Sequence, residues 1–388
     1  MDEVRNTMKE SLRHAAGSLL AVGLEGKELT AMERAWLKLL RPAGIILYRR
    51  NIADVKQTRA MLGDAMSYCC PHSPTFVDVE GGVVNRLNLA LAPVPSAQSV
   101  ATAMLRTGKK ALAREHGELI ARAVGAFGFN TSLAPMVDLA LPDSFEVLGT
   151  RAPASAPADV ITYAREFLAG LKSRGIVGCG KHFPGLGGGA LDTHIETPAI
   201  GRNWEEMWSE DLVPYRELRH EMPIVMMNHA AYPRTPGKEL PASVSNFWIG
   251  EILRKRIGYR GIILSDDLEM GGILKFMPID QAAVAAIRTG SDLVEICHHP
   301  EPILLAYEAL VTEAEKSGAF RKILLERARR STKLKAKTFP KKMPAALSDK
   351  NFEALRARIL SFGETIEKIV PRVVEAARAK PPSLVETA

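Results

Sequence analysis

Three stretches of the sequence gather side chains able to move protons, attack carbon or hold hydroxyl groups. The densest is GKHFPGLGGGALDTHIETP, residues 180–198. Lys181 and His182 follow an apolar run, so both can reach the end of a strand. Asp192 and His194 are two residues apart; in an extended backbone both project to the same side, and the carboxylate can orient the imidazole. A neighbouring carboxylate favours protonated histidine, the form a general acid needs near neutral pH. Gly185, Gly187, Gly188 and Gly189 would let this loop move over a bound molecule. The same run could cradle a phosphate, but it lacks the Lys-Ser/Thr ending of a P-loop and the spacing of a dinucleotide fingerprint.

The second stretch is YRGIILSDDLEMGGI, residues 259–273, an apolar run ending in Asp266 and Asp267. On residue types alone this pair reads equally as a carboxylate that attacks or stabilises an electron-poor carbon and as a magnesium ligand pair. The third is FVDVEGGVVNRL, residues 76–87. Asp78 at a strand end can accept hydrogen bonds from vicinal hydroxyls. Glu80 and Arg86 read first as a structural pair that fixes the Gly-Gly turn between them.

Such residues need a scaffold that brings them to one place. Short apolar runs recur near 17–23, 44–48, 75–79, 131–135, 176–180, 223–228, 261–266 and 292–297, separated by amphipathic stretches long enough for helices. Several of those stretches end in glycine, as helix C-termini do. Strands alternating with helices pair in parallel, and eight such units close a barrel. The expected fold class is therefore α/β, a (β/α)8 TIM-type barrel with a C-terminal helical appendage. Polar residues sit at the C-terminal ends of the runs: Asp78 and Glu80, Asp138, Lys181 and His182, Asn228 and His229, Asp266 and Asp267. Unpaired buried charge is costly, and that rim is where parallel barrels build active sites. The expected division is a catalytic barrel over 1–335 and a helical extension over 336–388 whose last residues fray.

The 388 residues are 46% apolar and carry a formal net charge of +7. The charge is uneven: from Arg321 onward there are 17 Lys and Arg against 7 Asp and Glu, leaving 34 against 37 in residues 1–320. The basic part has no aromatic interleaving and no zinc-finger or RNP pattern, so it reads as a solvated helix face rather than a nucleic-acid or membrane surface. No run is long and apolar enough for a membrane span, and the N-terminus lacks the pattern of a secretory signal; the expected location is the cytoplasm. The four cysteines show neither a disulfide framework nor zinc spacing.

With GFNTSLAPMVDLAL at 128–141, VMMNHAAYP at 225–233 and PASVS at 241–245, the three stretches occur in an order that resembles family 3 glycoside hydrolases. Within that family they look like the single-domain bacterial β-N-acetylglucosaminidases of peptidoglycan recycling. The resemblance covers roughly residues 15–300. It implies Asp266 as nucleophile with Asp267 in support, and His194 as acid/base paired with Asp192. It also implies that Lys181, His182, Asp78 and Arg151 bind the sugar; Arg86 is counted with them, and His229 lines the pocket. Leu186 stands where the family's loop carries a second histidine, and Ala152-Pro153 follow Arg151 where the family has Ser-Phe.

The implied reaction is retaining removal of terminal β-linked N-acetylglucosamine from muropeptide fragments. No metal or organic cofactor, no nucleic acid and no membrane is expected as a partner, and the chain is expected to be a monomer or weak dimer. The alternatives are a β-glucosidase or other family 3 exo-glycosidase, an N-acetylglucosamine phosphorylase that uses phosphate instead of water, and a non-catalytic sugar-binding barrel.

Overall fold

A computed structural model describes residues 11–189 and 198–371. Eight parallel strands form one closed barrel: β1 Leu20–Val22, β2 Gly44–Leu47, β3 Thr75–Val77, β4 Thr131–Ser132, β5 Val177–Phe183, β6 Ile224–Met227, β7 Ile262–Asp267 and β8 Leu293–Ile296. Each pairs with its chain neighbour, and β8 closes on β1 through Leu20↔Val294 and Val22↔Ile296. The expected (β/α)8 barrel is the observed fold.

The period of two along each strand sorts the side chains. Ala21, Ile46, Phe76, Cys179, Ile224, Met226, Ile262, Leu264 and Leu293 fill the barrel interior. Leu20, Val22, Ile45, Leu47, Val77, Val294 and Ile296 belong to the outer core beneath the helices. Continuing the alternation turns Asp78, Lys181, Asp266 and Glu295 inward.

Two strands are shorter than their apolar runs. Residues before β1 finish a helical turn, with the Ser18 N–H bonded to the His14 carbonyl at 3.0 Å. β4 stops before Pro135, which has no N–H for the ladder. β5 is longer than expected, so Lys181 and His182 lie within it rather than after it.

The C-terminal residues close the underside and flank of the barrel. Helix Gly318–Thr338 runs through the boundary expected at 335/336, and Phe339 after it packs into the interior cluster with Ala43, Ile46 and Phe76. Helix Asp349–Ile369 is capped by the Ser348 side chain and buries Leu355, Ile359, Phe362 and Ile366 in the core of the barrel's outer helices. Spacings of four, three and four residues put these side chains on one face. At about 1.5–3 kcal/mol per buried side chain, that face contributes on the order of 10 kcal/mol against the entropy of ordering the helix.

Part of the basic charge here is engaged within the fold. Arg330 and Arg254 both bind the buried Asp292 carboxylate, at 2.8 and 2.5 Å, Arg358 pairs with Glu115, and Lys335 is buried. Among the described residues no helix is long and apolar enough to cross a membrane, and all four cysteines are free thiols.

Candidate active site

At the end of β7 the inward Asp266 has its Oδ1 fixed by the N–H of Asp267, at 3.0 Å. The Asp267 carboxylate is engaged elsewhere. Its Oδ1 accepts the Glu269 N–H at 3.0 Å, and its Oδ2 lies 3.1 Å from His298 Nε2. The two adjacent carboxylates therefore have different partners. Among the described residues no group of three or more His, Cys, Asp or Glu side chains is placed to hold a metal ion.

Across the barrel mouth, Lys181 Nζ lies 2.8 Å from Asp78 Oδ1 and 2.6 Å from Glu80 Oε1. Glu80 also takes a two-pronged contact from Arg151, Nε to Oε2 and Nη2 to Oε1, both 2.9 Å. The expected Glu80–Arg86 pair is replaced: the partners of Glu80 are Arg151 and Lys181, and Arg86 Nη2 comes within 3.9 Å of Asp78 Oδ2. The reason lies in the hairpin Val79–Gly81/Val84–Asn85. Gly81 turns at φ +97°, and a Cβ there would sit 2.1 Å from the Pro95 carbonyl oxygen. This turn lets the chain sink Glu80 into the interior, where only long-range partners can reach it.

Burial works to raise the Glu80 carboxyl, but the charges of Arg151 and Lys181 overcome it and hold the group well below the usual carboxylate range. Burial likewise works to lower Lys181, and Asp78 and Glu80 overcome it, so the lysine stays charged. Arg151 is raised against its own burial by Glu80. The result is a fixed array of cations and carboxylates whose upper members, Lys181 and Asp78, face the mouth.

His182 is pinned by Asp138. The carboxylate accepts the His182 N–H at 3.0 Å and lies 2.8 Å from Nδ1; its other oxygen accepts the Leu186 N–H at 2.8 Å. With Nδ1–H donating to Asp138, Nε2 remains the nitrogen available to a ligand. Asp138 thus ties β5 to the start of the glycine-rich loop. Asp192 and His194, farther along that loop, lie outside the described residues.

His229 is fully buried. Its Nε2 donates to the Asp267 carbonyl at 3.0 Å and its Nδ1 accepts from Ser243 Oγ at 2.7 Å. It supports the end of β7 from behind. Glu295, in register with Asp267 on the neighbouring strand, is buried, with no partner for Oε1 among the described residues. Burial and then the neighbouring Asp266 charge push its carboxyl well above the usual carboxylate range.

Sequence reasoning assigned no role to Asp138, Glu269, Glu295 or His298. Strand alternation alone could have flagged Glu295 as an inward carboxyl. Asp138 showed only as a polar residue at a strand end, and the side-chain contacts that give it, Glu269 and His298 their partners join residues 28 or more positions apart.

Residues 11–332 match the Glycosyl hydrolase family 3 N terminal domain. Among curated relatives, a beta-hexosaminidase of Alkalilimnicola ehrlichii is 37% identical over 287 residues, 73% of this chain and 82% of that protein. Among solved structures, NagZ of Neisseria gonorrhoeae in complex with N-trifluoroacetyl-D-glucosamine is 28% identical. It superposes with a TM-score of 0.72 over 89% of this chain and 97% of its own. A family 3 beta-N-acetylglucosaminidase from Paenibacillus sp. reaches a TM-score of 0.80 at 27% identity, covering 90% of this chain and 68% of that one. A closed parallel barrel with its charged residues gathered at the strand ends, matched along most of its length by this family, settles the assignment: the chain belongs to glycosyl hydrolase family 3.

Proposed function

We propose that the chain is a retaining exo-β-N-acetylglucosaminidase that removes terminal β-linked N-acetylglucosamine, with cytoplasmic muropeptide fragments ending in anhydro-N-acetylmuramic acid as its substrates. The observation that carries the reading is the state of Asp266. It is turned inward at the end of a strand on the barrel interior, with its Oδ1 oriented by the Asp267 N–H at 3.0 Å. The beta-hexosaminidase relatives and the glucosamine-derivative complex of the gonococcal NagZ support the choice of sugar.

In the first step the Asp266 carboxylate attacks the anomeric carbon. The bond to the leaving oxygen breaks, and His194, oriented by Asp192, gives that oxygen its proton. In the second step neutral His194 takes a proton from water, which displaces Asp266 and releases the sugar with its β configuration retained. Lys181 and Asp78 hold the outer hydroxyls. His182 offers Nε2, and Arg86 and Arg151 complete the charged wall, Arg151 through the guanidinium nitrogen that Glu80 does not take.

Turnover of an aryl N-acetyl-β-glucosaminide against the matching aryl β-glucoside tests the reading. The acetamido sugar should be preferred, and Asp266→Asn should abolish turnover of both. A preference for the glucoside would reassign the substrate, and an active Asp266→Asn protein would remove the mechanism. Product analysis in phosphate buffer separates hydrolysis, which yields the free sugar, from phosphorolysis, which yields the sugar 1-phosphate.

A further inference from the structure

The rim beside Asp266 carries a histidine, His298, that the mechanism does not use. His298, two residues past the end of β8, has partners at both ring nitrogens and at its backbone N–H. Arg50 Nη1 lies 3.1 Å from its Nδ1, Asp267 Oδ2 lies 3.1 Å from its Nε2, and the Tyr48 ring lies 5.1 Å away, centroid to centroid. Its backbone N–H donates to Glu269 Oε2 at 2.5 Å, and the same oxygen takes the Cys297 N–H at 2.8 Å. Arg50 is itself anchored, donating to the Leu24 carbonyl at 3.2 Å and the Cys297 carbonyl at 2.6 Å.

This arrangement fixes the tautomer. A guanidinium has donors only, so the His298 nitrogen facing Arg50 must present its lone pair, and the ring proton belongs on Nε2. Nε2–H then donates to Asp267 Oδ2. With Glu269 N–H on Oδ1 and His229 on the carbonyl, the Asp267 residue is tethered at three points. Its N–H is the group that holds Oδ1 of Asp266.

We propose that His298, oriented by Arg50, is a positioning residue for the nucleophile: it locks the Asp267 carboxylate, and the Asp267 N–H in turn aims Asp266. The inference rests on the reading of Asp266 as nucleophile. A purely stabilising role is a poor account of the contact. The His298 side chain is 31% exposed, and a partly solvated pair of this kind adds little to folding. Orientation is different. A nucleophile displaced by a fraction of an ångström loses rate without losing ground-state binding, which the sugar-binding residues on the other side of the mouth supply.

The test uses the full-length protein and the variants His298→Ala, His298→Gln, Arg50→Ala and Arg50→Ala/His298→Ala. Readouts are kcat and KM for an aryl N-acetyl-β-glucosaminide, and the thermal midpoint. His298→Ala should lower kcat by about 10- to 100-fold with KM close to wild type. His298→Gln, whose amide N–H can reach Asp267, should recover much of that loss. The double variant should be no slower than His298→Ala, because both residues act along one chain of contacts. A folded His298→Ala protein with wild-type kcat overturns the inference, as does a loss expressed in KM alone. Should His298→Ala not fold, Arg50→Ala carries the same comparison, and a wild-type kcat there overturns it equally. Asp266→Asn separates the two levels: if it stays active, the underlying nucleophile assignment falls; if it is inactive while His298→Ala is unimpaired, only this inference falls.

Discussion

Replacing Glu80 by Gln removes one charge from the array under the barrel mouth and changes almost no volume. The amide keeps one acceptor oxygen but turns an N–H₂ group toward the Arg151 guanidinium, so the two-pronged contact at 2.9 Å cannot survive intact. Lys181 loses its 2.6 Å partner but keeps Asp78 at 2.8 Å. Arg151 therefore bears most of the damage as a buried cation without its carboxylate. Removing one partner of a buried ion pair costs about 3–5 kcal/mol, and the surviving Asp78–Lys181 contact places this case near the low end, about 3 kcal/mol.

Urea unfolding at several pH values is the assay. A carboxyl held low in the folded state contributes stability that is fully present above its unfolded pKa, about 4.3, and shrinks as the pH falls below it. The gap between wild type and Glu80→Gln should be constant from neutral pH to about 5 and narrow in more acid solution. KM for an N-acetyl-β-glucosaminide should rise, because Lys181 and Arg151 lose the anchor that sets their positions. A gap below about 1 kcal/mol, the scale of an exposed pair, or one that does not change on acidification, would refute the reasoning.

Three further outcomes are expected. Burial pushes the Asp211 carboxyl up to about 6 against the pull of Arg202, so its contribution is fully present below the unfolded pKa and is lost as pH rises through the folded value. Wild type should lose on the order of 1 kcal/mol from this group between about pH 5 and pH 8, and Asp211→Asn should not; a pH-independent difference between the two in denaturant titrations would contradict this. Phe362→Ala should cost about 3–5 kcal/mol in calorimetry or denaturant unfolding while leaving KM unchanged, because its ring packs with His116 among the outer helices and not at the mouth. Asp138→Asn should reduce kcat/KM on the order of 10-fold, the scale of a charged hydrogen bond, because the amide cannot accept from both the His182 ring and its backbone with the same strength; wild-type kinetics would show that His182 needs no such tether.

The barrel was legible because its signal is local. A strand with one face on the interior and one on the helices shows as an apolar run, and all eight runs became strands. Their ends were less so. The apolar stretch at 17–23 begins while a helix is still closing, and Pro135 truncates β4, both matters of backbone hydrogen bonding rather than hydropathy. At the site, Asp78, Lys181 and Asp266 were visible as charges at strand ends, where their cost demands a use. Their partners were not. Glu80 has Arg86 six residues away, yet it binds Arg151, 71 residues away, because the Gly81 turn buries it. His298 reads as a loop residue until the fold brings Arg50, 248 residues away, against its ring.

The central claim is that Asp266 becomes covalently bonded to the sugar. Incubation with a 5-fluoro N-acetylglucosaminyl fluoride, tryptic digestion and tandem mass spectrometry test it most directly. The account predicts one added sugar on the peptide GIILSDDLEMGGILK, residues 261–275, with fragment ions placing it on Asp266. A label on any other residue, Asp267 and Glu269 of the same peptide included, would contradict it.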